Sequence, residues 1–441
     1  MCVDSLMTIY YKTLFSSILV LFACLGLGRF GYGMILPNLQ ESLNISTTQA
    51  GFIGTANFVG YLVGILFVSG LYKKYETHRL ITFSLILQAF SMFLMTFSTQ
   101  YLLIAFCYTL SGFFAAISNV SIMVYIAHII PSNIKGKALG IIVTGNGLAI
   151  IFSGFLVPYI DNSFLHDSWK INWSIFSALT LFIAFFVPFG LNQHDNKQKD
   201  TVQNQLILKL FESAKFYKIA FLYLVFGITY VVYVTFFVTA SIDKYEISVY
   251  QSGYFWSLLG FMSLFSGPVF GSLADKIGAY KTLIIIFIFQ TFANLILALD
   301  LTVHYVWVSA VLFGSSAWAI PSLITLLCSQ EFGVQYTAKV FSLATLIFAF
   351  GQVIGPVGAG YIYDIKNETY FCARDRYGKK PFFYHFVNNK FIFSSAIKPI
   401  IKLLGSTPKI NKTALAQYFQ YFVPINENTF FQGIHKLEAG S

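Results

Sequence analysis

The 441 residues predict an all-α protein that crosses a membrane eleven times, in two bundles, and ends in a short α/β tail of different character. Three observations carry this prediction. Hydrophobic residues make up 56% of the chain and charged residues only 10%, against about 25% charged in soluble domains. Eleven apolar runs each approach the ~20 residues a helix needs to span hydrocarbon. Past Tyr363 these runs stop and the chain turns polar and basic.

The spans fall at 14–36, 50–71, 80–98, 101–129, 138–160, 172–191, 219–240, 251–272, 280–299, 304–328 and 339–363. The first reads as a spanning helix and not a cleavable leader, because its apolar run continues past Gly28 to Pro37 without a small-residue cleavage site. Basic residues distinguish the two sides. One set of loops holds thirteen Lys or Arg, among them Lys73, Lys74, Arg79, Lys215 and Lys276, and the alternate set only Lys170 and Lys244. Positively charged short loops stay in the cytoplasm, so the N-terminus is expected inside and the tail, after eleven crossings, outside. The +10 net charge follows from this bias and from the tail, and gives no reason to expect nucleic acid. Cys24, Cys107 and Cys328 lie in spans, and Cys2 and Cys372 in separate segments, without metal-like spacing. No metal or cofactor is expected; the expected partners are the lipid bilayer and a small-molecule solute, with the protein a monomer.

The longest polar stretch divides the spans. Residues 1–191 form an expected six-helix bundle, 192–218 a cytoplasmic linker rich in Gln, Asn and Lys, 219–363 a five-helix bundle, and 364–441 the tail. Ser69-Gly70-Leu71-Tyr72-Lys73-Lys74, between spans two and three, is echoed about 200 residues later by Gly271-Ser272-Leu273-Ala274-Asp275-Lys276, between spans eight and nine. Spans one and seven also share a Gly followed by aromatic residues, Gly28 to Tyr32 and Gly227 to Tyr233. Parallel repeats produce such an offset.

Gly271-Ser272-Leu273-Ala274-Asp275-Lys276-Ile277-Gly278 resembles the loop signature of the major facilitator superfamily. Gly28-Arg29-Phe30-Gly31-Tyr32 with Leu36-Pro37, and Gly351-Gln352-Val353-Ile354-Gly355-Pro356, are similar to helices 1 and 11 of its YbfB/YjiJ-type bacterial branch. The resemblance covers residues 12 to 363. It implies a multi-pass protein of a bacterial cytoplasmic (inner) membrane, with two bundles around a cavity that opens alternately to each side. Helices 1, 4, 7 and 10 would line that cavity. The chain departs from the pattern at Lys73, where the first-half loop signature is acidic, and in lacking the peripheral twelfth helix.

Arg29 is the one charge deep within a span. A charge at the bilayer centre costs at least about 2.5–3.5 kcal/mol on insertion scales, so it is kept where it faces a cavity or a partner. Three readings stand side by side: Arg29 contacts an anionic or polar solute, it bonds backbone carbonyls or Asn57 or Asn119 to hold helices together, or it snorkels to the interface. Tyr32 shares its helix face. Asn57, Asn119, Gln290 and Asn294 are further polar candidates within spans, and Tyr230, Tyr233 and Trp318 are aromatic ones. The resemblance makes Asp275 and Lys276, flanked by Gly271 and Gly278, conformational switch elements. Gly145, Gly154 and Pro158 in span five, with Gly355 and Pro356 in span eleven, allow close helix approach and bending. No membrane-embedded Asp, Glu or His offers itself as a proton carrier. Transport of a neutral or anionic small organic solute, secondary active or facilitative, is the leading expectation.

Beyond Tyr363, three stretches resemble the end of the glutamine amidotransferase domain of asparagine synthetases: Thr369 to Tyr384, Lys390 to Ser395 and Thr429 to Ile434. Ala396 stands where that family carries Glu. Strands are expected at 370–373, 382–386 and 390–394, a hairpin turn at Asn388-Asn389 and a helix from Thr413 to Phe419. As a fragment of an N-terminal-nucleophile fold, the tail is expected to leave strand edges unpaired and to be poorly ordered or stuck to the surface a twelfth helix would cover. The resemblance implies a Cys nucleophile and a glutamine pocket that earlier residues of that domain supply. Cys2 is a poor stand-in, because Val3-Asp4 does not match and the expected topology places Cys2 and the tail on opposite faces. The expectation is therefore a transporter without enzyme activity. A membrane-tethered amidotransferase-related protein and a non-functional fusion product are the rival readings.

Overall fold

The computed structural model describes residues 2–130, 135–163, 167–191, 213–299, 301–333, 336–366, 381–387, 390–423 and 427–437. The described residues fall into two compact units, Met1–Asn367 and Glu368–Ser441. Most of the linker, the strand expected at 370–373, the turn at Asn388-Asn389 and the stretch Arg374 to Lys380 lie outside them.

The first unit has eleven helices long and apolar enough to span a membrane, among the described residues: α1 Tyr11–Leu43, α2 Thr47–Val68, α3 Thr77–Met95, α4 Tyr101–Ile126, α5 Ala138–Ser163, α6 Ser168–Gly190, α7 Ala214–Tyr245, α8 Val249–Ile277, α9 Ala279–Ala298, α10 His304–Phe332 and α11 Val340–Asp364. Number and order match the sequence expectation. Local signals set the ends. Ser46 and Gln49 form a reciprocal capping box at the start of α2. Ser248 caps α8 by accepting the Gln251 backbone N–H on its hydroxyl. The preceding helices both end on a left-handed residue, Asn44 at φ 49° and Glu246 at φ 51°. These matched start and stop devices, about 200 residues apart, extend the internal repeat from the loop motif to the helix ends.

Two helices are irregular at mid-length. Residues Phe22–Phe30 of α1 form a π-helical stretch, which widens the helix where Arg29 sits. In α10 the helix breaks after Ala317 and resumes at Ile320, with Trp318 in the break and Pro321 in the new first turn. Irregular backbone at membrane depth is tolerated where protein or a cavity covers it.

The halves meet closely at the end that carries the α1–α2 and α7–α8 turns. There the Asp364 carboxylate accepts from the Thr48 backbone N–H at 2.9 Å and its hydroxyl at 2.5 Å, capping α2 from the opposite half. Nearby, Thr55 donates to the Val353 carbonyl at 3.0 Å and the Trp256 indole N–H to the Ser153 hydroxyl at 3.2 Å. Glycines make the approach feasible. A Cβ at Gly33 would overlap the Val234 carbonyl oxygen, one at Gly51 the Pro356 carbonyl, and one at Gly154 the Ser257 side chain. At the other ends of these helices, Gly70, Gly140, Gly267 and Gly271 have nothing within 4 Å of the same position.

The halves differ in cover. In the first, α6 packs along α3, and 56% of the apolar window of α3 is buried; in α9, its repeat counterpart, only 28% is. Ile284, Ile288, Phe292 and Leu295 face outward on α9. This is the surface that an eleven-helix arrangement leaves to lipid.

In the second unit the strands β1 (Phe383–Val387), β2 (Lys390–Ser394) and β3 (Ile434–Lys436) form an antiparallel sheet in the order β2-β1-β3. The expectation of unpaired edges fails for β1, which is paired on both sides. Its second partner, β3, follows about 40 residues later, and so long-range a pairing leaves no local pattern. The helix Lys412–Tyr421 lies where expected, capped by the Asn411 side chain. The short helix Ile397–Leu404 was not anticipated. Phe386, Phe393, Leu403, Phe419 and Phe422 remain exposed on this unit.

Candidate membrane-embedded binding site

Arg29 sits in the π-helical stretch of α1, 8% exposed. Its guanidinium lies between two aromatic faces of α2, with Cζ 4.5 Å from the Phe58 ring centre and 4.2 Å from that of Tyr61. Its Nε donates to Asn57 Oδ1 at 3.1 Å, and the Asn57 amide donates in turn to the Tyr108 carbonyl at 3.2 Å. The Tyr108 hydroxyl completes the ring by donating to the Arg29 carbonyl at 3.3 Å. Asn119 holds Tyr61 from behind through a 2.7 Å bond from its amide to the phenol oxygen. Three helices, α1, α2 and α4, therefore fix one cation.

The fixing is incomplete. Arg29 Nη2 is buried and has no hydrogen-bond partner among the described residues, and the same holds for Asn119 Oδ1. No carboxylate forms an ion pair with Arg29 among the described residues. Two cation–π contacts, worth about 0.5–2 kcal/mol each, offset part of the burial cost, and they leave the net positive charge in place.

Across the seam, the opposite half presents aromatic rings. Phe30 meets Tyr230 of α7 at 6.4 Å and Trp318 of α10 at 6.0 Å, and Tyr230 and Trp318 stand 6.0 Å apart. Phe313 stacks parallel to Tyr230 at 6.3 Å. The two irregular helix segments thus face each other: the widened turn of α1 supplies Arg29 and Phe30, and the break in α10 supplies Trp318. On the closed-end side of Arg29 a cavity of about 10 Å³, room for a single water, is lined by Arg29, Tyr32, Gly33, Gly54, Phe58, Tyr108, Val234 and Thr235.

The other candidates divide. Asn57 and Asn119 join the Arg29 cluster as its supports. Tyr32 lines the cavity, but its hydroxyl is committed to the Ala50 carbonyl at 2.7 Å. The Tyr233 hydroxyl is bound to Ser309, within its own half. Asn294 bonds back to the Gln290 carbonyl on α9, and the Gln290 amide is buried without a partner; nothing ties either residue to Arg29. Asp275 and Lys276 are exposed near the end of α8 and make no ion pair among the described residues. Gly278 ends that helix at φ +90°, a conformation that L side chains rarely adopt, while Gly271 stands in open space. Gly154 and Pro158 touch α8 of the opposite half and Pro356 touches Gly51 of α2, whereas Gly145 packs on α1 and Gly355 on α7, within their own halves.

Phe30, Phe58, Tyr61, Tyr108 and Phe313 were not singled out from the sequence. One signal pointed to part of the set: Gly54, Asn57, Phe58 and Tyr61 follow the i, i+3, i+4, i+7 spacing of a single helix face.

The family model described as Major Facilitator Superfamily matches residues 18–356, and that described as Glutamine amidotransferase domain matches residues 356–441. The chain is 45% identical over 85 residues to a provisionally named asparagine synthetase (glutamine-hydrolyzing) of Methanocaldococcus jannaschii, covering 18% of this chain and 16% of that protein. It is 29% identical over 160 residues to the uncharacterized transporter YgaY of Escherichia coli O157:H7, covering 36% of this chain and 39% of that protein. With the multidrug resistance protein MdtG of Klebsiella pneumoniae the identity is 27% over 273 residues, 58% of this chain and 62% of that one. The chain thus spans less than two thirds of each of these relatives. Among solved structures, it resembles a bacterial homolog of the human lysosomal transporter Spinster, inward-facing and unoccupied, with a TM-score of 0.64 at 12% identity over 82% of this chain and 85% of that one. It also resembles the nucleoside transporter NupG, with a TM-score of 0.67 at 12% identity over 81% and 91% of the two chains. At such identities the likeness is one of fold.

Proposed function

The chain belongs to the major facilitator superfamily, and from that premise we propose that it carries a small neutral or anionic organic solute across a bacterial cytoplasmic membrane by alternating access, as a secondary active or facilitative transporter. One observation carries this reading: a buried guanidinium whose Nη2 has no hydrogen-bond partner among the described residues stands at the seam between two halves that are tightly joined at one end. Retaining such a charge in a membrane is costly unless it meets a ligand. Asn57, Tyr61, Tyr108 and Asn119 serve as its supports, Tyr230 and Trp318 as the opposing wall, and Asp275 and Lys276, which make no ion pair among the described residues, as a switch. The organisation is a six-helix half, a linker, a five-helix half and a tail.

Flux in proteoliposomes loaded with the full chain and screened against pools of organic acids, sugars, nucleosides and amino acids tests the proposal. Movement of at least one solute class above empty liposomes is expected. A folded protein that moves none of them would sink it.

The basic-residue bias makes the joined end the outer one. A variant keeping only Cys372 is expected to react with a membrane-impermeant maleimide in intact spheroplasts. Protection until the membrane is broken would reverse the orientation.

For the tail we hold to the reading of a non-catalytic remnant, because Val3-Asp4 after Cys2 does not match the residues that follow that family's nucleophile. The purified chain is expected to release no glutamate from glutamine. Turnover above a buffer blank would favour the membrane-tethered amidotransferase instead.

A further inference from the structure

We propose that the solute is a monoanionic carboxylate on a small, flat aromatic body. In the bound state its carboxylate bridges Arg29 Nη2 of one half and the Tyr230 hydroxyl of the other. The inference rests on the reading that Arg29 contacts the solute, and deepens it by naming the chemical class.

Charge is the first constraint. Arg29 has no carboxylate partner among the described residues, so the site holds one net positive charge in apolar surroundings. A monoanion neutralises it. A dianion would leave one negative charge buried without a partner, and a cation would add to the existing one; both are strongly unfavourable where the dielectric is low.

The second constraint is the count of open polar groups. A sugar or nucleoside needs many hydrogen bonds, yet the polar side chains here are already committed: Tyr32 to Ala50, Asn57 to Arg29 and Tyr108, Tyr233 to Ser309. The open groups around Arg29 are its own Nη2 and the acceptor Asn119 Oδ1, both buried without a partner among the described residues; on the opposite half the hydroxyls of Tyr230, in ring contact with Phe30, and of Thr235, which lines the cavity beside Arg29, make no hydrogen bond to a described residue. Two donors on opposite halves fit the two oxygens of one carboxylate. A single acceptor accommodates one hydroxyl or amine on the body and discourages a second anion.

The walls are the third. Phe30, Phe58, Tyr61, Phe313 and Trp318 surround these donors with ring faces and edges, and Phe30, Tyr230 and Trp318 already contact one another across the seam. Aromatic pairs favour offset or edge-to-face geometry at centroid separations of about 4.5–7 Å, so a planar ring can replace one protein ring contact when the halves part.

The test uses the full chain in nanodiscs, with benzoate as the probe. Its controls are benzamide as neutral isostere, terephthalate as dianion, cyclohexanecarboxylate as non-flat acid and benzylammonium as cation. Benzoate is expected to raise the thermal midpoint and to be carried into proteoliposomes, with each control at least about tenfold weaker, the ratio that one lost charge-assisted hydrogen bond produces. Tyr230→Phe, which keeps the ring, is expected to weaken benzoate about threefold to tenfold. Equal or tighter binding of terephthalate or benzamide overturns the proposal. If benzoate fails while another solute moves in an Arg29-dependent manner, the chemical class falls and the Arg29 reading stands. If no solute moves in any screen, the transport reading falls and takes this inference with it.

Discussion

Arg29→Gln is expected to abolish solute flux while the protein still folds and inserts. The two parts rest on different energies. For the solute, removing one member of a desolvated, hydrogen-bonded charge pair costs about 2–5 kcal/mol, or a loss of roughly 30-fold or more in apparent affinity. For the fold, the losses are the Asn57 bond and two cation–π contacts to Phe58 and Tyr61. Against them stands relief of about 2.5–3.5 kcal/mol for a charge no longer held in the membrane. These terms nearly cancel, because no acid is left unpaired. Arg29→Lys separates charge from geometry. It keeps the cation but lacks the planar fork that bonds Asn57 with one nitrogen while leaving another open, and flux about tenfold below wild type is expected. The check is initial-rate uptake in proteoliposomes, with detergent-solubilised thermal midpoints as the folding control. Full activity of Arg29→Gln would return Arg29 to a purely structural role, the reading in which it ties α1 to Asn57.

Gly33→Val is expected to stop transport by a different route, preventing the closed end from forming. A Cβ at Gly33 would overlap the Val234 carbonyl oxygen on the opposite half, and backbone cannot swing aside as a side chain can. Overpacking costs about 1–3 kcal/mol. Here the cost falls only on the arrangement in which α1 and α7 touch, so the closed-to-open ratio at this end drops about fivefold to 150-fold. Thr48→Cys, placed where Asp364 caps α2, reports the change: its labelling by an impermeant maleimide is expected to be faster in the Gly33→Val background. Gly267→Ala is the control, since nothing lies within 4 Å of its added Cβ, and near-normal flux is expected. Unchanged Thr48→Cys labelling in the Gly33→Val protein would show that the close approach is not tied to the cycle.

The eleven spans were legible in the sequence because hydrocarbon imposes a requirement that each segment meets alone: about 20 apolar residues with the backbone satisfied internally. The two-fold repeat was legible from the loop echo and from the Gly-plus-aromatic stretches of spans one and seven, and the structure adds the paired Ser caps and left-handed helix ends. Arg29 stood out because a lone intramembrane charge is conspicuous against 10% charged residues. The tail helix at Lys412–Tyr421 and the strand at Lys390–Ser394 followed from local patterns.

Only the tertiary structure decided which partners these residues take. In a chain with 18% aromatics, no spacing singles out Phe30, Tyr108 or Phe313 as neighbours of one cation and its opposing wall. Their proximity depends on a widened turn in α1, a break in α10 and the crossing of five helices. Tyr32 shares the Arg29 face as the periodicity indicates, yet its hydroxyl goes to Ala50, a carbonyl on the next helix that no sequence pattern marks. The pairing of β1 with β3 is hidden for the same reason. Burial and helix length are properties of a segment and its solvent, and can be read along the chain. Hydrogen bonds and ring contacts belong to pairs of segments, and exist only once the helices have packed.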